Sequence, residues 1–213
     1  MMVKICGITS LRDAEHAVAC GASAIGFVFW PGSPRAVDPQ RAREIAMSLP
    51  PFVTPVGVFV NQPIDAVNDI SARVGLGAVQ LHGDEDLVYA TGVTRPVWKA
   101  MSLAAAAGIE DWPPAIRILL DAHDPVQRGG TGKTIDWDRA AILARRRPIV
   151  LAGGLTPENI VAAVACVRPF GIDVSSGVER APGVKDPKRV EALFSALARE
   201  SGRETADAGR NEG

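Results

Sequence analysis

"PIVLAGGLTPENIVAAVACVRPFGIDVSS", residues 148–176, contains one complete folding unit. It opens on an aliphatic run too short for a helix, PIVLAGG (148–154), which closes on two glycines. Thr156-Pro157 comes next, a capping hydroxyl before a proline at the first helical position. Apolar residues then recur at three- and four-residue spacing through 157–167, which predicts a helix. A second strand-like run, GIDVSS (171–176), ends the unit. Strand, helix and strand joined by such short turns imply a crossover between parallel strands.

The same alternation fills the rest of the chain. Strand-like runs stand at 2–6, 23–29, 54–60, 77–82, 96–101 and 116–122. Helical periodicity covers 13–19, 39–49, 64–74, 84–90, 137–146 and 187–199, with a short segment at 103–107. Asp38-Pro39 and Asp186-Pro187 mark two helix starts by the capping logic of Thr156-Pro157. Strands apolar on both faces require helices over both faces of the sheet. The expected class is α/β. Eight strand–helix units in about 200 residues suit a closed (β/α)8 TIM barrel near its lower size limit. An open doubly wound sheet is the alternative. A single barrel domain is expected over residues 1–200. SGRETADAGRNEG (201–213) has no large apolar residue and is expected to be a disordered tail.

A formal net charge of −1 argues against general affinity for nucleic acid or an anionic membrane. The apolar runs are strand-length, so no membrane span is expected. The N-terminus enters a strand at once, without the basic and apolar regions of a cleaved signal. Three cysteines, Cys6, Cys20 and Cys166, lack metal-ligand spacing and form an odd set. A disulfide framework or zinc site is therefore not expected, and a reducing cytoplasm is the expected location.

In a parallel barrel the C-terminal strand ends and the loops after them form the active face. There the sequence puts Cys6, then Arg35 in "WPGSPR", His82 after the fourth strand and Asp121 at the end of the sixth. Gly153 and Gly154 follow the seventh strand, and Asp173, Ser175, Ser176 and Gly177 belong to the eighth and its loop. Glycine backbone amides, serine hydroxyls and a short helix starting near Ser176 would suit a phosphate. Ordinary tight turns are the competing reading for either loop alone.

Leu119 and Asp121 share a face by alternation, and apolar crowding would favour a protonated Asp121 able to act as a general acid. A loop-capping aspartate is the plain alternative. Lys4 and Cys6 also share a face, and an ammonium beside the thiol would shift it towards a thiolate able to take a proton from carbon. By itself such a cysteine is more often a small core residue. Arg35 sits in a stiff loop and would pair with a ligand carboxylate, although surface arginines are common. For His82 and His123, catalysis and loop bracing both remain open. "GGTGKT" (129–134) is not a nucleotide P-loop, because Gln127 stands where that motif needs glycine. It reads as a glycine-rich lid.

Several segments resemble the phosphoribosylanthranilate isomerases, barrel enzymes of tryptophan biosynthesis. They are "KICGIT" (4–9), "GFVFWPGSPR" (26–35), "VGVFVN" (56–61), "VQLHGDE" (79–85), "LLDA" (119–122), "GGTGKTIDW" (129–137), "LAGGLTPENI" (151–160) and "DVSSGVERAPGVKD" (173–186). The resemblance implies an Amadori rearrangement of N-(5'-phosphoribosyl)anthranilate to 1-(2-carboxyphenylamino)-1-deoxyribulose 5-phosphate. It implies Cys6 as general base, Asp121 as general acid, and Arg35 on the anthranilate carboxylate. Asp173 would assist near the ribose. Gly153, Gly154, Ser175, Ser176 and Gly177 would hold the phosphate. No cofactor or metal is implied, and the partner is a small phosphosugar–anthranilate. Monomer and homodimer both stay open. A ribulose-phosphate epimerase or thiamin phosphate synthase would show metal ligands or a lysine set for pyrophosphate, and neither constellation stands out. A non-catalytic phosphosugar sensor is disfavoured by the intact Cys6 and Asp121.

Overall fold

Strand β1 (Met2–Cys6) pairs with β2 (Ala24–Val28) on one side and with β8 (Gly171–Val174) on the other, so the sheet closes on itself. The structure, a computed structural model, describes residues 1–121 and 135–208, apart from the side chains of 107 and 200–208. Between them run β3 (Thr54–Phe59), β4 (Ala78–Leu81), β5 (Val97–Met101), β6 (Arg117–Leu120) and β7 (Ile149–Leu151), each parallel to its neighbours in chain order. This is the expected (β/α)8 TIM barrel. Val3↔Ile172 pairing excludes the open sheet, which would leave those strands as edges.

Helices α1 (Leu11–Cys20), α2 (Pro39–Met47), α3 (Ile64–Val74), α4 (Leu87–Thr91), α5 (Trp137–Arg146), α6 (Ile160–Val167) and α7 (Pro187–Ala208) follow the strands. Between β5 and β6 the weak helical segment is a 3₁₀ turn, Ala105–Asp111. Asp38 caps α2 by accepting from the amides of Gln40 and Arg41. The Thr156-Pro157 signal does not open its helix directly. Asn159 accepts from the Thr156 amide and donates to Gly154 O, folding 157–159 into a turn that delays α6 to Ile160. An antiparallel hairpin after β8, β9 (Glu179–Ala181) with β10 (Val184–Lys185), was not anticipated.

The tail boundary needs correction. Helix α7 continues to Ala208, eight residues beyond 200, where alanine, glutamate and arginine carry good helix propensity without any large apolar residue. Residues 209–213 lie outside the described residues, as do the "GGTGKT" segment and His123. No helix among the described residues is long and apolar enough to cross a membrane.

Strand alternation splits the core in two. Outward residues such as Ile5, Ile25, Phe27 and Phe59 are fully buried under the helices in one large cluster. Burying Phe27 or Phe59 stabilises the fold by about 1.5–3 kcal/mol each. Inward residues form an apolar floor, with Ala24, Val56 and Ala78 against Met2 and Trp98. Above that floor the interior turns polar, with Lys4, Gln80 and Asp173 all buried.

Candidate active site

The polar layer begins at β1, whose alternation sends Lys4 and Cys6 inward together. Gly26 on β2 makes room for both, since a Cβ there would stand 2.8 Å from Cys6 Sγ and 2.9 Å from Lys4 Cε. Lys4 has no solvent exposure, and its Nζ donates to both Asp173 oxygens (2.9 and 3.0 Å) and to Gln80 Oε1 (2.9 Å). Burial alone would pull this ammonium below its ordinary value. The Asp173 charge, with help from Cys6, outweighs that and holds the lysine above its ordinary value, so it stays charged.

Cys6 behaves differently from the sequence expectation. Burial pushes its thiol above the ordinary value and Asp173 adds to the rise, so the ammonium of Lys4 does not win. The expectation failed because burial of the thiol outweighs the ammonium beside it, and Lys4 brings Asp173, whose charge opposes a thiolate.

On β4, Gln80 points inward two residues before His82. Gln80 Nε2 lies 2.8 Å from His82 Nδ1, and His82 Nε2 lies 3.3 Å from Asp121 Oδ2. Asp121 sits one residue past β6, where its amide donates to Met101 O. A continuous polar chain thus crosses the mouth from β8 through β1 and β4 to the end of β6.

Arg35 is gripped by a carboxylate of this chain. Its Nε and Nη2 donate to Glu179 at 2.8–3.1 Å, and among the described residues its Nη1 makes no hydrogen bond to protein. The aliphatic stem lies over Gly7, whose φ of +76° and missing side chain permit it. Glu179 also accepts from Lys185 Nζ (2.8 Å), which in turn donates to the carbonyls of Cys6 and Ser175. Burial opposes the Glu179 charge, yet Arg35 and Lys185 hold its carboxyl below the usual range. The hairpin is thereby stapled to the ends of β1 and β8.

The two loops picked out for phosphate lie against each other. Gly153 and Gly154 take φ of +84° and +63°, and a Cβ on Gly177 would fall 1.8 Å from Leu155 O. The short helix foreseen near Ser176 is a single 3₁₀ turn, Ser176–Val178. Every candidate residue lines one cavity of about 530 Å³: Cys6, Arg35, Asp121, Gly153, Gly154, Asp173, Ser175, Ser176 and Gly177. That volume suits a small organic ligand. Of the other two cysteines, Cys20 packs against the core while Cys166 is exposed.

Sequence reasoning missed Gln80, Glu179 and Lys185. A glutamine inside the apolar run of β4, two residues from His82, was the available signal for Gln80. Glu179 and Lys185 carried none, because the hairpin that buries them was not foreseen.

The chemistry-bearing side chains open on the C-terminal mouth of a closed parallel barrel, which defines a (β/α)8-barrel enzyme by class. Residues 3–196 match the family described as N-(5'phosphoribosyl)anthranilate (PRA) isomerase. An N-(5'-phosphoribosyl)anthranilate isomerase from Pelobacter propionicus is 48% identical over 201 residues, 93% of this chain and 96% of its own length. The crystal structure of phosphoribosyl anthranilate isomerase from Thermus thermophilus is similar at TM-score 0.86 and 44% identity, covering 93% of this chain and 99% of that one. Another phosphoribosyl anthranilate isomerase, solved in complex with reduced 1-(o-carboxyphenylamino)-1-deoxyribulose 5-phosphate, is similar at TM-score 0.81 and 40% identity, covering 95% and 99%. The chain belongs to the N-(5'-phosphoribosyl)anthranilate isomerase family.

Proposed function

We propose that this enzyme isomerises N-(5'-phosphoribosyl)anthranilate in tryptophan biosynthesis, with Asp121 as general acid and Cys6 as general base. Asp121 gives a proton to the ribose ring oxygen as the C1'–O bond breaks, leaving a Schiff base between C1' and the anthranilate nitrogen. That cation acidifies the hydrogen on C2', which the Cys6 thiolate removes. The resulting enol-amine becomes the C2' ketone by gaining a proton at C1' and losing the C2' hydroxyl proton. Substrate and product are isomers, so no oxidant or external group is consumed.

The observation that carries this reading is the common cavity of Cys6 and Asp121, reached from strands β1 and β6 on different sides of the barrel mouth. Arg35 Nη1 would take the anthranilate carboxylate. Asp173, already oriented by Lys4, would stand near the ribose. The Gly153–Gly154 and Ser175–Gly177 loops would offer amides and hydroxyls to the phosphate. A free Cys6 thiol is best kept in a reducing compartment, and the cytoplasm is the location proposed.

The test generates phosphoribosylanthranilate in situ and follows its anthranilate-type fluorescence. Enzyme-dependent decay of that signal is the expected result. A signal that persists at the uncatalysed rate would sink the reading.

A further inference from the structure

We propose that Gln80 is a positioning residue for the acid: with its amide turned by Lys4, it holds His82 as the neutral tautomer whose single ring proton sits on Nε2, the nitrogen that faces Asp121. The reasoning follows donor and acceptor chemistry along the chain. An ammonium has only donors, so the Gln80 atom 2.9 Å from Lys4 Nζ must be its carbonyl oxygen. The other end of the amide, 2.8 Å from His82 Nδ1, is then an NH2 group that can only donate. Nδ1 must therefore present a lone pair. A neutral imidazole with a bare Nδ1 carries its proton on Nε2, which lies 3.3 Å from Asp121 Oδ2.

Protonating Nδ1 would set N–H against N–H in a buried site, because Gln80 is only 1% exposed and cannot turn over without setting its NH2 group against the Lys4 ammonium. The groups around His82 point the same way. Asp121 meets it from the end of β6, and Gln80 from its own strand. Lys4 on β1 and Asp173 on β8 lie beyond Gln80, and Cys6 lines the same cavity. From β5, Lys99 reaches Gly83 O and Glu85.

The neutral state matters for the acid. An imidazolium beside Asp121 would hold it as carboxylate and keep the proton from the sugar. A neutral Nε2–H orients the carboxyl group and leaves it able to bind and release a proton. This part rests on reading Asp121 as the acid, whereas the tautomer itself does not.

The experiment uses the ¹⁵N-labelled full chain, which has three histidines, with His82→Asn to assign the ring. Long-range ¹H–¹⁵N correlation should show Nε2 protonated and Nδ1 bare. A proton on Nδ1 at neutral pH in the wild type overturns the proposal, whether or not any variant folds.

Gln80→Glu replaces the donor with an acceptor. It should place a proton on Nδ1 and lower kcat by about tenfold or more. KM should stay within about twofold, and the alkaline limb of kcat should move to lower pH. A variant with Nδ1 protonated and wild-type kcat overturns the link to the acid. Should Asp121→Asn keep full activity while the wild-type tautomer is as stated, it is the reading of Asp121 that fails, and the tautomer stands.

Discussion

Glu179 and Arg35 form a fork-to-fork ion pair across the mouth, with Arg35 Nε and Nη2 both on the one carboxylate at 2.8–3.1 Å. Nη1 makes no hydrogen bond to protein among the described residues, and it is the group proposed to take the substrate carboxylate. Arg35→Ala should therefore raise KM for phosphoribosylanthranilate at least about tenfold with a smaller change in kcat. Glu179→Gln keeps the shape and loses the charge, so its KM should fall between wild type and Arg35→Ala. Equal kcat and KM effects in Arg35→Ala would place the arginine in the chemistry instead.

Acid stability follows from the same carboxylate. The folded-state pKa of Glu179 lies below its ordinary value of 4.5, so its contribution is present above that value and fades as pH falls through the lower one. Wild type and Glu179→Gln should then differ in thermal midpoint at neutral pH and converge under strongly acid conditions. A gap that widens on acidification would contradict the ion-pair account.

Cys6→Ser leaves a side chain of similar size whose conjugate base is hardly populated. Asp121→Asn keeps the shape and removes the transferable proton. Each should lose roughly 10²–10⁴-fold in kcat with little change in KM, measured by the fluorescence assay. Near-normal turnover in Cys6→Ser would remove the thiol from the mechanism and make Asp173 the base to test.

The thiol's environment predicts a pH profile. Burial and Asp173 place the Cys6 pKa above its ordinary 9.0, so the thiolate fraction should grow about tenfold per pH unit through neutrality. The acidic limb of kcat/KM should accordingly rise through the neutral range. A plateau between about pH 6 and pH 8 would mean that Lys4 prevails over burial after all.

Much of this was readable before the structure. Strand–helix alternation and proline-marked caps gave the barrel, and the strand ends with their loops gave Cys6, Arg35, Asp121, Asp173 and the two glycine- and serine-rich loops, though not Gln80. What escaped were relationships between distant segments. Nothing local in "VQLHGDE" says that Lys4, 76 residues away in the chain, decides which way Gln80 turns. Nor does "ERAPGVKD" disclose that Glu179 will face Arg35, since that depends on how a hairpin folds back over the barrel. The direction of the Cys6 shift was misread for a related reason. Alternation placed the ammonium beside the thiol, while the depth of burial that outweighs it, and the aspartate that adds to the rise from β8, depend on how the barrel closes.

Gly177 gives the sharpest test of the phosphate loops. A methyl group there would meet Leu155 O at 1.8 Å, and because the obstacle is backbone, one loop has to move. Ser176, Gly153 and Gly154 flank that contact, so Gly177→Ala should spread the amides and hydroxyls proposed to converge on phosphate. In wild type, a reduced product analogue should slow amide exchange at 153–154 and 175–177. In Gly177→Ala the same concentration should protect them less, and KM should rise by about tenfold or more, the scale of losing one charge-assisted hydrogen bond. Kinetics and exchange that match wild type in the variant would show that the phosphate is held elsewhere on the mouth.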